Sequence, residues 1–520
     1  MIANKYLLYA ANFGGGMESI MKKILHFLIP EIIMLSLTLA FILTMVSCSK
    51  VQDGADNQKN DENTQDGTVP ADETQDPRFA IKEDISELDF KGINFNILYM
   101  TWGMYNTYYF AESEIGEQMN DAIYRRTKNV EERFNIKINP IGVDNDISPT
   151  LSKSVKAGSD DYQLALNHCV GGVVELTTGG FVQDWNKIPI VDFTKPWWNQ
   201  RMNETLSIDG ILLTAVSDFI IFDPNVIYFN KRMAQEYELG DMYTLVRDGK
   251  WTWDKLSEFA KRVSKDVDGN GIYDENDQYG FVTHMNWMLD STVQAADMYL
   301  TKIDDEGYPV TNLNNERFGT LINTLYDLIY VGNQTYIGKW DSNSNGPAQG
   351  PVESQVPMSS DRVLFITDPL SAGKRYRMYD VEFGILPYPK LDEAQKDYLS
   401  LSWNGLMMIP KTANPTLVGA VSEALAAESH RLTIPAYYDI VLTSKVARDE
   451  ESAEMIDLIY KGAVYDFGMN FGRWDPLSDP VMNILQNKSA DYVSFVEKGA
   501  ARFNKHLRDV YDKIRANYAG

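Results

Sequence analysis

The densest grouping of residues that could do chemistry is Asp266-Val267-Asp268-Gly269-Asn270-Gly271-Ile272-Tyr273-Asp274-Glu275-Asn276-Asp277. Asp266, Asp268, Asn270, Asp274 and Asp277 bring side-chain oxygens at loop positions 1, 3, 5, 9 and 12. Gly271 fills position 6, where the turn needs it, and Ile272 at position 7 would offer its backbone carbonyl. This is the ligand spacing of an EF-hand calcium loop, with Asp277 in place of the closing Glu. Five carboxylates within twelve residues repel one another unless a cation sits among them. The alternative is an acidic, glycine-rich turn without metal. Gln278 to Val282 reads as a strand and not as a second helix, and no partner loop follows. A structural Ca2+ of low affinity, suited to extracellular calcium, is therefore expected instead of a paired sensor.

The second informative residue is Cys48. A basic start, Met21-Lys22-Lys23, precedes an apolar stretch from Ile32 to Val46, and the small Ser47 stands directly before the cysteine. That order reads as an export signal processed at Cys48. Met45-Val46-Ser47-Cys48 resembles the lipobox of a bacterial lipoprotein, which implies a lipid on Cys48 and a signal peptide over 1–47. Gly14-Gly15-Gly16 followed by Met17 and Met21 suggests that 1–20 precede the true start. An uncleaved signal anchor is the competing reading, although the apolar stretch is short of the roughly 20 residues a span needs. Behind Cys48 the chain is acidic and polar with no aromatic residue through Asp76. It is read as a disordered tether over 48–86, with a reach on the order of 30 Å for the coil.

The composition narrows the function. A chain of 520 residues carries more than one domain, and a net charge of −25 argues against nucleic acid or anionic lipid surfaces as partners. Neutral or cationic small molecules remain open. The 10 Trp and 29 Tyr exceed what a core needs and favour stacking surfaces. Only Cys48 and Cys169 are cysteines, so a lipidated Cys48 leaves no internal disulfide, and Cys169 is expected buried. The histidines lack metal-ligand spacing, and no phosphate loop, nucleophile elbow or H-E-x-x-H occurs. A binding protein is expected, not an enzyme.

The elements that must position these residues alternate between strand and helix. Ile93–Tyr99, 135–138 and 162–166 read as strands, and 120–134, 152–157 and 173–178 as helices. Beyond them, 210–215, 226–229, 363–367, 383–386 and 406–409 read as strands. Trp253 to Val263 is an amphipathic helix with Thr252 as its N-cap, and helices follow at 318–330, 417–427, 452–460 and 492–518. Strands alternating with helices predict a parallel-sheet α/β fold with a helical C-terminal part.

Several segments together resemble the family 1 extracellular solute-binding proteins of bacterial ABC importers, the type that mostly captures sugars. They are Gly249-Lys250-Trp251-Thr252-Trp253-Asp254-Lys255-Leu256, the calcium-like loop, Asp277-Gln278-Tyr279-Gly280-Phe281 and Tyr228-Phe229-Asn230-Lys231. Pro435-Ala436-Tyr437-Tyr438 through Lys445, Arg448-Asp449, Glu451-Ser452 and Glu454-Met455 adds to them. The resemblance covers about 88 to 520. It implies a two-lobed periplasmic-binding-protein-like fold of type II. One lobe would hold 87–220 plus 405–440 and the other 223–402 plus 445–520, with hinge crossings near 219–223, 402–405 and 442–446. It further implies a monomer lipid-anchored at the outer face of a Gram-positive-type membrane, which takes a mono- or oligosaccharide in its cleft and hands it to the permease subunits of an ABC importer.

Sugars present flat C–H faces and a rim of hydroxyls, so their sites pair aromatic plates with planar polar side chains. The candidates lie where strands end: Trp102, Tyr105, Asp218, Asn286, Trp287, Asp368, Trp403 and Asn404. For each tryptophan the competing role is packing, and for Asp218 it is a hinge or cap. Trp197, Trp198, Trp251 and Trp253 are assigned to packing, and Trp474 is a further candidate. A secreted glycan-active enzyme is one alternative function, since paired carboxylates in an aromatic cleft also describe a glycosidase. A peptide-binding or adhesion lipoprotein is another.

Overall fold

The computed structural model describes residues 77–101, 106–285, 287–338, 358–376, 379, 381–442, 450–472 and 475–518. Cys48, the signal, most of the tether, Trp102, Tyr105, Asn286 and Trp474 lie outside them. No helix among the described residues is long and apolar enough to cross a membrane.

The strands run, in chain order, β1 (Ile93–Met100), β2 (Ile136–Val143), β3 (Leu164–His168), β4 (Asn225–Asn230), β5 (Tyr279–His284), β6 (Thr301–Ile303), β7 (Pro309–Thr311), β8 (Thr335–Gly338), β9 (Val363–Pro369), β10 (Phe383–Leu386), β11 (Ser400–Leu401), β12 (Gly405–Met408) and β13 (Ala463–Val464). The two larger sheets have the orders β12-β3-β1-β2 and β10-β4-β9-β5-β8, and β11-β13 and β6-β7 form two-stranded pairs. In the first, β1 runs parallel to β2 and β3, while β12 joins β3 antiparallel, with Gly405 opposite His168. In the second, β5, β8 and β9 are parallel and β4 runs against β9 and β10. The chain is thus α/β, with two mixed sheets. The central strands β4 and β5 are buried at every position because helices cover both faces, which is why their sequences read as continuous apolar runs.

The Trp253–Val263 helix shows how tightly those helices sit. Thr252 caps it by accepting the Lys255 amide at 3.3 Å, and Trp253, Leu256, Phe259, Ala260 and Val263 form its buried face. It lies so close to β5 that a Cβ added at Gly280 would come within 2.1 Å of the Ala260 Cα. Trp197, Trp198, Trp251 and Trp253 are all buried, in accord with packing roles. Glu423 accepts both the Trp197 and Trp198 indole N–H groups at 2.8 Å.

Three features depart from the sequence reading. The stretch expected as a strand over 210–215 forms only isolated bridges, Ile208 with Ile211 and Ala215 with Met407. The tether expected to reach 86 ends sooner, because the Ile81 carbonyl and the Glu83 carboxylate are already tied to Arg431. The Tyr492–Tyr518 helix does not serve one sheet alone. Its Tyr492 end packs on Phe318, while farther along Arg515 donates to Asp209 at 2.6 Å and to the Gly307 carbonyl at 2.8 Å, and Asn517 donates to the Thr178 carbonyl.

Candidate functional site

Among the described residues two segments carry the chain between the sheets, 219–224 and 402–404, and a single side chain ties them together; the crossing expected near 442–446 lies outside them beyond Leu442. Asn404 donates its amide N–H to the Ile221 carbonyl and accepts the Asp223 amide on Oδ1 at 3.1 Å. Its own carbonyl accepts the Cys169 N–H at 3.2 Å. Asn404, expected to meet ligand, is buried and has both ends of its amide engaged by the other crossing. Asp223 in turn accepts the amide and hydroxyl of Ser371, each at 2.7 Å, and the Tyr437 hydroxyl at 3.2 Å. Burial raises its pKa, against which the Ser371 and Tyr437 hydrogen bonds and the Lys374 charge act.

Around this floor stand the strand ends of the second sheet. Asp368, near the end of β9, meets the Arg375 guanidinium and accepts the Tyr376 hydroxyl at 2.8 Å. Burial pushes its pKa up to about 7, opposed by the Tyr376 hydrogen bond and aided by the charge of Asp223. Phe281 pairs with Phe365 and Val282 with Ile366, and His284 closes β5 opposite Gly338 of β8. Burial drives the His284 pKa down to about 4, so its imidazole is neutral at physiological pH. The set is planar and polar, and lies at the C-terminal ends of parallel strands, where open α/β sheets receive their ligands.

Trp403, on the second crossing, is half-buried and donates its indole N–H to Ser291 Oγ at 3.3 Å. The same oxygen accepts the Asn225 amide at 3.0 Å, from the first residue of β4. Hydrogen bonds therefore orient the indole, which keeps part of its surface exposed. Trp287 opens the Trp287–Asp290 helix directly after β5. Asp218 stands apart from this grouping: its Oδ2 lies 2.6 Å from His430 Nδ1, and its amide donates to the Trp197 carbonyl at 2.8 Å. Asn404 thus meets Asp223, whose charge Asp368 feels, and Trp403 meets Ser291, whereas Asp218 is used elsewhere. Asp223, Ser291, Ser371, Arg375 and Tyr437 complete the grouping. Of these, the sequence pointed to Asp223 through the crossing expected near 219–223 and to Tyr437 through the family-like Pro435–Tyr438 segment, with no sign of the other three.

Nucleophilic chemistry is not built into the described residues near the end of β3. Cys169 Sγ lies 3.9 Å from His168 Nδ1, but burial raises the thiol far above its ordinary range and lowers His168 to about 4. The pair holds its proton on sulfur and lacks the thiolate that attack requires.

The acidic loop closes at its base through paired backbone hydrogen bonds between Lys265 and Gln278, at 3.0 and 3.1 Å. Carboxylate oxygens of Asp266, Asp268 and Asp277 lie within 4.8 Å of one another. Asp277 is buried and accepts the Val267 and Asp274 amides, both at 2.8 Å. Gly269 and Gly271 adopt positive φ, 72° and 79°, which lets the chain wrap the trio. Asp274 turns its carboxylate to the Asn276 amide at 2.8 Å, and the Asn270 side-chain oxygen accepts the Ile272 amide at 2.6 Å. An all-oxygen donor set with one buried carboxylate fits a hard divalent cation.

No family model matches the chain, and no curated protein matches it. Solved structures do. A cyclo/maltodextrin-binding protein complexed with maltotetraose is 16% identical with TM-score 0.50, covering 83% of this chain and 98% of its own. UgpB from Mycobacterium tuberculosis in complex with glycerophosphocholine is 13% identical with TM-score 0.50, covering 81% and 99%. A sugar transporter from Rhizobium etli in an open conformation is 14% identical with TM-score 0.50, covering 81% and 99%. At such identities the likeness is one of fold. The chain has the two-lobed, periplasmic-binding-protein-like α/β fold that these solute-binding structures share.

Proposed function

We propose that this protein captures a sugar or oligosaccharide between its two lobes and delivers it to an ABC importer, held at the outer membrane face by a lipid on Cys48. The observation that carries the reading is the half-buried Trp403 indole at the crossing between the sheets, oriented by Ser291, which also holds Asn225 at the start of β4. A fixed aromatic plate suits the flat C–H face of a pyranose, and polar groups at the strand ends, such as Asp368 and Arg375, suit its hydroxyls. Lobe closure would then be a population shift driven by a ligand that touches both lobes. The fold supports capture and not turnover. The lipobox-like Met45-Val46-Ser47-Cys48 supports the anchor.

The Asp266–Asp277 loop is proposed to hold a structural Ca2+, with Asp266, Asp268 and Asp277 as the grouped carboxylates and Asn270, the Ile272 carbonyl and Asp274 as further oxygen donors of the loop. Its place between the Trp253–Val263 helix and β5 gives the ion a stabilising role, remote from the crossings.

The test is calorimetric titration and thermal-shift screening of the chain from Ser49 onward against mono- and oligosaccharides. Reversible binding with no change in the sugar is expected. Cleavage of the sugar, or no binding across the panel, would overturn the reading.

A further inference from the structure

His430 and Arg431 are neighbours in sequence with partners far apart in the chain. Both lie on Ser429–Thr433, a π-helical turn between the Pro415–Glu428 and Ile434–Leu442 helices. Such turns recur where a helix serves a function other than packing. His430 Nδ1 meets Asp218 Oδ2 at 2.6 Å, immediately before the first crossing. Arg431 reaches the other way, donating to the Ile81 carbonyl at 2.9 Å and to Glu428 at 2.8 Å, and pairing with Glu83. The Arg431 and Glu83 side chains are only 5% and 4% exposed, so this is a buried ion pair and not a surface contact.

The segment is fixed at other points too. Arg133 also pairs with Glu83, Lys195 donates to the Lys82 carbonyl at 3.0 Å, and the Phe90 amide donates to the Phe134 carbonyl at 2.9 Å. A second link returns to the same crossing. The Arg431 guanidinium lies 5.8 Å from the centre of the Trp197 ring, and the Trp197 carbonyl accepts the Asp218 amide at 2.8 Å. Asp218 is thus held by His430 and by Trp197, and both depend on the turn that grips Glu83.

We propose that residues 77–90 form a strap that braces the hinge: Glu83, through Arg431 and the π-helical turn, fixes His430 on Asp218 and so the first crossing between the lobes. This goes beyond ligand capture and is independent of ligand identity.

Hydrogen exchange of the full chain, read by mass spectrometry without ligand, tests it. Glu83→Ala should speed exchange about tenfold in 216–223 and 429–433, while β4 exchanges as before. Asp218→Asn, cutting the link from the hinge side, should loosen 429–433 and leave 77–90 protected. Faster exchange confined to 77–90 and 429–433 in Glu83→Ala, with 216–223 unchanged, would overturn the brace. Glu83→Gln keeps the side-chain shape and gives the same reading should the alanine variant fail to fold. Sugar binding is not measured, so failure here leaves the capture reading untouched.

Discussion

Ser291 Oγ accepts two hydrogen bonds, from Trp403 Nε1 at 3.3 Å and from Asn225 Nδ2 at 3.0 Å, and so joins the second crossing to the first residue of β4. If the indole is a sugar platform, Trp403→Ala should weaken saccharide binding at least tenfold, about 1.4 kcal/mol. The melting temperature should fall as well, since the ring packs in part against the core, so binding is read well below the variant's melting. Ser291→Ala should show a smaller loss, because the plate remains and only its orientation is freed. Calorimetric titration measures both.

Calcium removal should lower the melting temperature, since a ligand at 100 times its Kd stabilises by about 2.7 kcal/mol. Asp268→Ala should melt like the chelated protein and no longer respond to added calcium. Asp277→Asn should be destabilised even in chelator, because the buried Asp277 also orders the Val267 and Asp274 amides. Melting that is identical with and without chelator would remove the metal from the account.

Stability should depend on pH through Asp479 and Asp290. Burial raises Asp479 from 3.8 to about 6, and burial with the charge of Asp479 raises Asp290 well above its ordinary value. Asp290 Oδ1 caps the Pro480–Leu485 helix through the Val481 and Met482 amides at 3.0 and 3.2 Å. A carboxyl raised on folding binds its proton more tightly in the native state. Stability from this source is therefore full below about pH 4 and falls as pH rises towards about 6. Asp479→Asn should match the parent at pH 4 and melt higher at pH 7, as thermal scans across that range would show.

Glu423→Ala should cost about 3 kcal/mol or more, because it strands two buried indole N–H groups at roughly 1–3 kcal/mol each. Glu423 also accepts the Asp192 amide at 3.2 Å. Urea unfolding would measure the loss, and a change under about 1 kcal/mol would show that the indoles find other acceptors.

What was legible in the sequence was local. The Trp253–Val263 helix and its Thr252 cap announce themselves because apolar residues recur at helical spacing behind a threonine. The loop over 266–277 does so because its ligands are consecutive in the chain. The apolar run over 210–215 misled, since an extended chain becomes a strand only with a partner along its length, and here Met407 meets Ala215 alone. Asp218 was placed at the cleft by its position at a crossing, but its fate depends on His430, 212 residues away. Asn404 likewise carries a polar side chain at the expected place, and nothing local reveals that Ile221 and Asp223 take up both ends of its amide. Glu83 looked like part of a polar tether because its partner Arg431 is 348 residues later.

The antiparallel seat of β12 beside β3 sets an order of events in biosynthesis. Gly405 pairs with His168, so the first sheet lacks its edge strand until more than three-quarters of the chain has left the ribosome. The Tyr492–Tyr518 helix, later in the chain than β12, then spans from Phe318 to Thr178. Contacts this distant in sequence make folding slow. Until β12 arrives, the free edge of β3 is the part of this sheet most open to other partners.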